Sequence, residues 1–211
     1  MPNKFPFPGD WKWGSAHWLI ARDMTNGQYE YLLSLPLVLH IPTLHTMVVH
    51  AGLLPLDPKK PLTSKQQPLA HVPVLPSGSE SLEERLRSAQ EMAVVDEMSV
   101  SRPYNLMSIS MLLNGIRLYT ISPQNNNPWV ITNLRSLLDN GRVSKENDKG
   151  KPWPNVWNQI MKQCGGFDVG SSQSRGKGPT TLPCLPFTIV YGHAATRGKD
   201  IRKWSKGVDS G

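Results

Sequence analysis

Val48-Val49-His50-Ala51-Gly52-Leu53-Leu54-Pro55 is the stretch from which the rest of the chain can be read. Thr46 to His50 has the length and apolar character of a strand, apolar enough to be covered on both faces. It ends at a histidine followed by two small residues and, soon after, a proline. A short polar turn containing Pro42 separates it from a second β-like run, Leu37 to Ile41, so the two read as adjacent strands. Far downstream the pattern returns: Phe187-Thr-Ile-Val-Tyr191 is a strand that runs into Gly192-His193 and then Ala194-Ala195. Strand C-termini are where α/β folds place ligand-binding groups. Small neighbours let backbone approach a metal or phosphate, and neutral imidazole is a ligand for zinc, iron or manganese. A strand-end histidine is more often a surface or hydrogen-bonded residue than a ligand, and spacing alone leaves both readings of His50 and His193 open.

Helices and loops surround these strands. Thr25 and Gln28 form a capping box that opens a short helix through Leu33, ended by Pro36. Ser81 and Glu84 form a second, and behind it Leu82, Leu86, Ala89, Met92 and Ala93 fall on one face, with Glu83, Arg87 and Gln90 opposite. Between them, Leu53 to Ser79 is a Pro-rich, unpatterned loop. Ser101 to Ile121 lacks acidic residues and a firm period, and reads as an insertion that does not bury one face. A strand is expected at Trp129-Val130-Ile131. Trp153, Trp157, Ile160, Met161 and Cys164 share a helical face, with prolines at its start where they are tolerated. Lys206 to Gly211 reads as the beginning of one more strand. Residues 1–17 form an irregular lead-in and 18–211 the domain proper. Strands alternating with helices and long loops give an α/β class.

Composition narrows the partners. A 38% hydrophobic fraction with 19 prolines and 17 glycines argues against a compact helical bundle, and 18% charge argues against a disordered polyelectrolyte. The net charge of +7 attracts polyanions. Its lysines and arginines form no long run and no basic–aromatic repeat, so no specific nucleic acid is expected. Cys164 and Cys184 lack zinc-ribbon spacing; one disulfide is open, and two buried thiols are the favoured reading. The apolar stretch Leu32–Pro42 is broken by Ser34, Pro36 and His40, far short of the ~20 residues that span a bilayer. No membrane segment is expected, and the chain reads as soluble.

Several segments together resemble the calcineurin-like metallophosphoesterase superfamily. Val48 to Pro55 is similar to its fourth motif and Ile189-Val-Tyr-Gly-His-Ala194 to its fifth. Thr132-Asn-Leu-Arg135 and Gly207-Val-Asp-Ser-Gly211 resemble segments of symmetrical diadenosine tetraphosphate hydrolases. Leu69 to Leu75, Trp153 to Trp157 and the stretch at Trp204 look most like fungal endopolyphosphatase-type members. The resemblance covers the chain from about Trp18 and implies a partial metallophosphatase-type α-β-β-α sandwich, truncated at both ends, with long loops. It implies that His50 and His193 ligate one of two divalent ions (Mn, Zn or Fe), that Arg135 binds substrate phosphate, and that the substrate is a phosphoric ester or anhydride: polyphosphate, a dinucleotide polyphosphate or a phosphoprotein. Vacuolar and cytoplasmic relatives leave the compartment open. The family's first three motifs have no counterpart; Gly9-Asp10 is followed by Trp11-Lys12 rather than by a histidine two residues on. A hydrolase with weak or no metal binding and no activity alone is therefore expected, and a non-catalytic anion- or protein-binding remnant is the alternative.

Overall fold

The computed structural model describes residues 13–74, 77–95, 125, 127–167, 181–193 and 195–209. The insertion expected over 101–121 lies outside them, as do residues 1–12 of the lead-in. The chain divides into two units, Met1–Leu35 and Pro36–Gly211.

In the first unit a helix not foreseen from sequence, α1 (Ala16–Asp23), starts at Ser15, whose hydroxyl accepts from the Trp18 amide. The expected capping box opens α2 (Asn26–Ser34): Gln28 N–H donates to Thr25 Oγ1, and the Thr25 amide donates to Gln28 Oε1 at 2.9 Å. Neither helix buries a residue.

The second unit is a mixed α/β structure, as its alternating strands and helices predict. Its main sheet contains β1 (Val38–Ile41), β2 (Thr46–Val49), β6 (Thr188–Tyr191), β8 (Ser205–Gly207) and β7 (Asp200–Ile201), adjacent in that order. The pairs β2–β6 and β6–β8 are parallel; β1–β2 and β7–β8 are antiparallel. The last strand thus lies at Ser205–Gly207 and ends where a new one was expected to begin. A smaller sheet orders β4 (Val143–Ser144), β3 (Ser136–Leu137) and β5 (Lys151–Pro152). Between the sheets' sequences, Pro128–Asn133 forms helix α4 rather than the expected strand. Asn127 Oδ1 accepts from the Trp129 amide and Pro128 sits in the first turn, a start signal that outweighs three β-prone side chains.

β2 is not covered on both faces. Met47 and Val49 are buried while Thr46 and Val48 are half-exposed, and Ile189 and Tyr191 of β6 repeat the alternation beside them. On the buried face lies α5 (Trp153–Met161), whose Trp153, Trp157, Ile160 and Met161 form the expected apolar stripe. Trp157 meets Phe187 edge-on at 5.0 Å, and Trp153 meets Tyr191 at 4.7 Å. Asn158 anchors this helix to β8, donating to Ser205 Oγ at 2.7 Å and accepting from the Trp204 amide at 3.0 Å.

Helix α3 (Leu82–Val94) follows the expected faces only in part: Glu83 is exposed and Leu86, Ala89 and Ala93 are half-buried. Leu82 and Met92 are exposed, whereas Gln90, Glu91 and Val94 are buried. Gln90 exchanges two 2.7 Å hydrogen bonds with the Leu185 backbone, and Arg87 donates to the Pro186 carbonyl. Glu91, with no exposed side chain, accepts from His40 Nε2 at 2.6 Å and His45 Nδ1 at 3.1 Å, with Arg87 Nε at 3.5 Å. The polar face points inward because the segments it meets, the β1–β2 turn and the lead-in to β6, offer backbone and imidazole partners rather than apolar side chains.

The Leu53–Ser79 loop has no helix or strand among its described residues, yet it is packed. Leu53, Leu54 and Leu69 are core residues, and buried Gln67 donates to the Asp57 carbonyl and accepts from the Asp57 amide. Asn125 holds Leu54 through both its amide and carbonyl and donates to the Val94 carbonyl, tying the end of α3 to the segment after His50.

Cys164 and Cys184 are joined in a disulfide, not left as buried thiols. Backbone bonds from Leu182 N to Gln163 O and from Gly166 N to Cys184 O hold the two segments side by side, a pairing across 20 residues that no local pattern encodes. Closing a loop of that length is expected to stabilise the fold by about 3 kcal/mol. Cys184→Ser should lower the urea midpoint accordingly, and reductant should do the same to the parent chain but not to the variant.

Candidate functional site

The parallel pairing of β2 with β6 sets Val49 beside Tyr191, and the residues that follow continue the ladder: the Gly192 amide donates to the His50 carbonyl at 2.9 Å. His50 and His193 therefore emerge at the same edge of adjacent strands. His50 Nε2 lies 2.9 Å from His193 Nδ1, and the ring centroids are 4.6 Å apart. His50 is exposed and His193 half-buried. His193 adopts φ +62, a left-handed backbone conformation uncommon for a residue other than glycine. Burial, then the neighbouring His50 and Arg135, push the His193 imidazole below its ordinary pKa, with Asp209 opposing them. The neutral imidazole is thereby favoured, which is the form that accepts a hydrogen bond or ligates a metal.

Gly52, the small residue after the first histidine, is explained by packing. A Cβ there would stand 2.4 Å from the Trp153 indole. The amides of Ala51 and Gly52 both donate to the Ile131 carbonyl at the end of α4, so the loop after His50 is fixed by helix and indole together. Gly192 has ordinary space for a Cβ, whose nearest neighbours would be the His50 carbonyl and Asp209, at 3.6 Å and beyond.

Arg135 lies where α4 gives way to β3. Its amide donates to the Ser144 carbonyl and its carbonyl accepts from the Trp153 amide, so its backbone is fixed on both sides. The side chain is half-buried, acts electrostatically on His193, and has a buried Nε with no hydrogen-bond partner among the described residues. Of the three residues expected at the site, His50 and His193 are in contact, and Arg135 is linked to His193 by electrostatics.

Two further charged residues, Asp209 and Arg197, act electrostatically on these side chains. The Val208 amide donates to the Tyr191 carbonyl, and continuing the β6–β8 register sets Asp209 alongside His193. Arg197, in the short 3-10 turn after His193, donates to the Asn147 carbonyl at 3.1 Å and senses the charge of Arg135. Register would have placed Asp209 had β8 been located correctly; no local signal marks Arg197 apart from its nearness to His193. Deeper in, the Tyr191 hydroxyl donates to Asp200 at 3.1 Å, and burial followed by the Asp200 charge pushes that phenol far up, so it stays protonated.

The donor set fits a metal in part. Two nitrogens 2.9 Å apart can be neighbouring ligands of one ion at bond lengths of about 2.0–2.1 Å. Zinc enzymes normally use three protein ligands, and no group of three or more histidine, cysteine or carboxylate ligands occurs among the described residues. Nor is any helix there long and apolar enough to cross a membrane.

No family model matches the chain, and no curated protein does. Among solved structures it is similar to the crystal structure of a provisionally assigned diadenosine tetraphosphatase, with 20% identity and a TM-score of 0.38 over 91% of this chain. It spans 48% of that protein's length. A likeness this loose carries nothing about chemistry.

Proposed function

We propose that the chain carries part of a metal-dependent phosphoesterase site, acting on phosphoric esters or anhydrides, in which His50 and His193 hold one divalent ion and Arg135 binds a substrate phosphate. The observation that supports this most is the 2.9 Å approach of the two imidazoles from the ends of adjacent parallel strands, residues 143 positions apart. The segments that resemble metallophosphoesterase motifs converge on the same edge. A divalent ion held there would polarise a phosphoryl oxygen and neutralise its charge. The protein's own contribution is placement. The β2–β6 ladder sets the imidazoles side by side, burial favours the neutral form of His193, and the Arg135 guanidinium can meet two phosphoryl oxygens through its planar fork.

A second reading, a non-catalytic anion-binding remnant, draws on the two-nitrogen donor set, because two imidazoles leave most coordination positions to water. The two readings separate by experiment. Equilibrium dialysis with manganese or zinc is expected to give at most one weakly held ion per chain, removed by EDTA and lost in His50→Ala. Turnover of p-nitrophenyl phosphate or polyphosphate by the isolated chain is expected to stay at background. Ion uptake identical in His50→Ala would remove the metal assignment. Two ions per chain, with turnover that vanishes in His50→Ala, would show a complete catalytic site.

A further inference from the structure

We propose that Asn140, at the tip of the β3–β4 hairpin, is a site of spontaneous covalent modification, where the side-chain amide closes onto the Gly141 backbone and then opens to aspartate or isoaspartate. The turn is built by two backbone bonds, from Leu138 N–H to the Arg142 carbonyl and from Gly141 N–H to the Leu138 carbonyl, both 2.9 Å. Gly141 completes it at φ +75, and a Cβ there would stand 3.3 Å from the Pro58 carbonyl. A glycine is therefore held at this position by conformation and packing alike. Asn140 itself is exposed, and its Oδ1 accepts from the Arg142 amide at 3.0 Å.

That last bond has a chemical consequence. It folds the side chain back toward the backbone that follows, and it draws electron density from the carbonyl that would be attacked. Residue 141 has no side chain to obstruct the approach. The Gly141 nitrogen forms a bond to Asn140 Cγ, the Cγ–Nδ2 bond breaks, and ammonia leaves with the proton that the backbone amide gives up. Water then adds to one carbonyl of the cyclic imide or to the other. One opening gives aspartate, and the other gives isoaspartate, with the main chain routed through Cβ. Against this stands the Gly141 N–H bond to Leu138, which must be released; one neutral backbone hydrogen bond slows the reaction by about tenfold at most. The other described Asn-Gly step, Asn26-Gly27, opens helix α2, where side chains lean toward the preceding turn and away from the amide that follows. A third, Asn114-Gly115, lies outside the described residues. Isoaspartate at 140 would add an atom to the main chain of a tight turn. The Leu138–Arg142 bond would be lost, and with it the β3–β4 register that carries the Arg135 amide to the Ser144 carbonyl.

Ageing the whole chain at mildly alkaline pH, in buffer and in urea, tests this by tryptic mapping and by enzymatic methyl transfer to isoaspartyl carboxylates. Cleavage after Arg135 and Arg142 isolates residues 136–142, and Asn26 falls on a separate fragment, 23–59. In the folded chain residues 136–142 are expected to gain isoaspartate within about tenfold of their rate in urea. They should also react faster than Asn26, whereas in urea the two steps react alike. Asn140→Asp, whose carboxylate still accepts from Arg142, should leave the fragment unchanged in mass, because no amide is left to lose. Asn140→Gln should do the same, because its longer side chain closes a ring far less readily. A folded-chain rate below that tenfold range would show that the turn shields Asn140 and would overturn the site. So would Asn26 outrunning Asn140 in the folded chain, or a mass change in the fragment that persists in Asn140→Asp.

Discussion

Replacing Glu91 with alanine is expected to destabilise the fold by about 3 kcal/mol, more than any other single polar change in α3. Its carboxylate is fully buried and is shared by His40, His45 and Arg87. Removing it leaves two imidazoles without their acceptor and Arg87 without its carboxylate, and breaking a buried ionic group from one side costs about 3–5 kcal/mol. The low end applies because Arg87 and both imidazoles keep some contact with water. Glu91→Gln retains an acceptor and should cost about 1 kcal/mol. Urea unfolding followed by circular dichroism measures both. Indistinguishable midpoints for parent and alanine variant would mean that the donors find water at no cost.

Trp153→Ala is expected to be as damaging, about 3–5 kcal/mol, since the indole is fully buried against Tyr191, Trp157 and the bare backbone of Gly52. The same geometry predicts non-additivity. Gly52→Ala alone should cost about 1–3 kcal/mol by forcing a methyl into the indole. In the Trp153→Ala background that methyl enters the vacated space, and the added cost should fall below about 1 kcal/mol. Two costs that simply add would show that the loop after His50 is held by the Ile131 carbonyl alone.

What could be read from the sequence was local or strictly periodic. Both capping boxes, the strands on either side of Pro42, the Phe187–Tyr191 run and the apolar stripe of α5 are set by neighbours within one or two turns. The meeting of His50 with His193 was legible for a different reason: each ends a strand in the same small-residue context, and equivalent strand ends gather at one edge of a parallel sheet. The failures are long-range. Leu82, Leu86 and Met92 made the apolar face of α3 look like its core face, but the helix packs on polar backbone at Leu185 and Pro186 and on two histidines, none of which leaves a trace in residues 82–94. Trp129-Val130-Ile131 suggested a strand because side-chain preference was weighed above the Asn127-Pro128 start signal. Cys164 and Cys184 are brought together by backbone pairing that no spacing rule describes, and the small residue at Gly52, which suggests ligand approach, has an indole as its close neighbour.

The parallel join between β2 and β6 also sets an order of events during synthesis. At about 5–20 residues per second, a ribosome takes roughly 7–30 s to make the 143 residues that separate His50 from His193. Throughout that interval Thr46–Val49 can pair with Val38–Ile41 on one side, while the side that β6 will occupy lacks its partner strand. Met47 and Val49, buried in the finished fold, must wait exposed or under a chaperone. Closing so long a loop is entropically slow, so the sheet should assemble late. The imidazole pair is therefore among the last features to form, and any ion or anion that depends on both rings can be captured only after nearly the whole described chain has emerged.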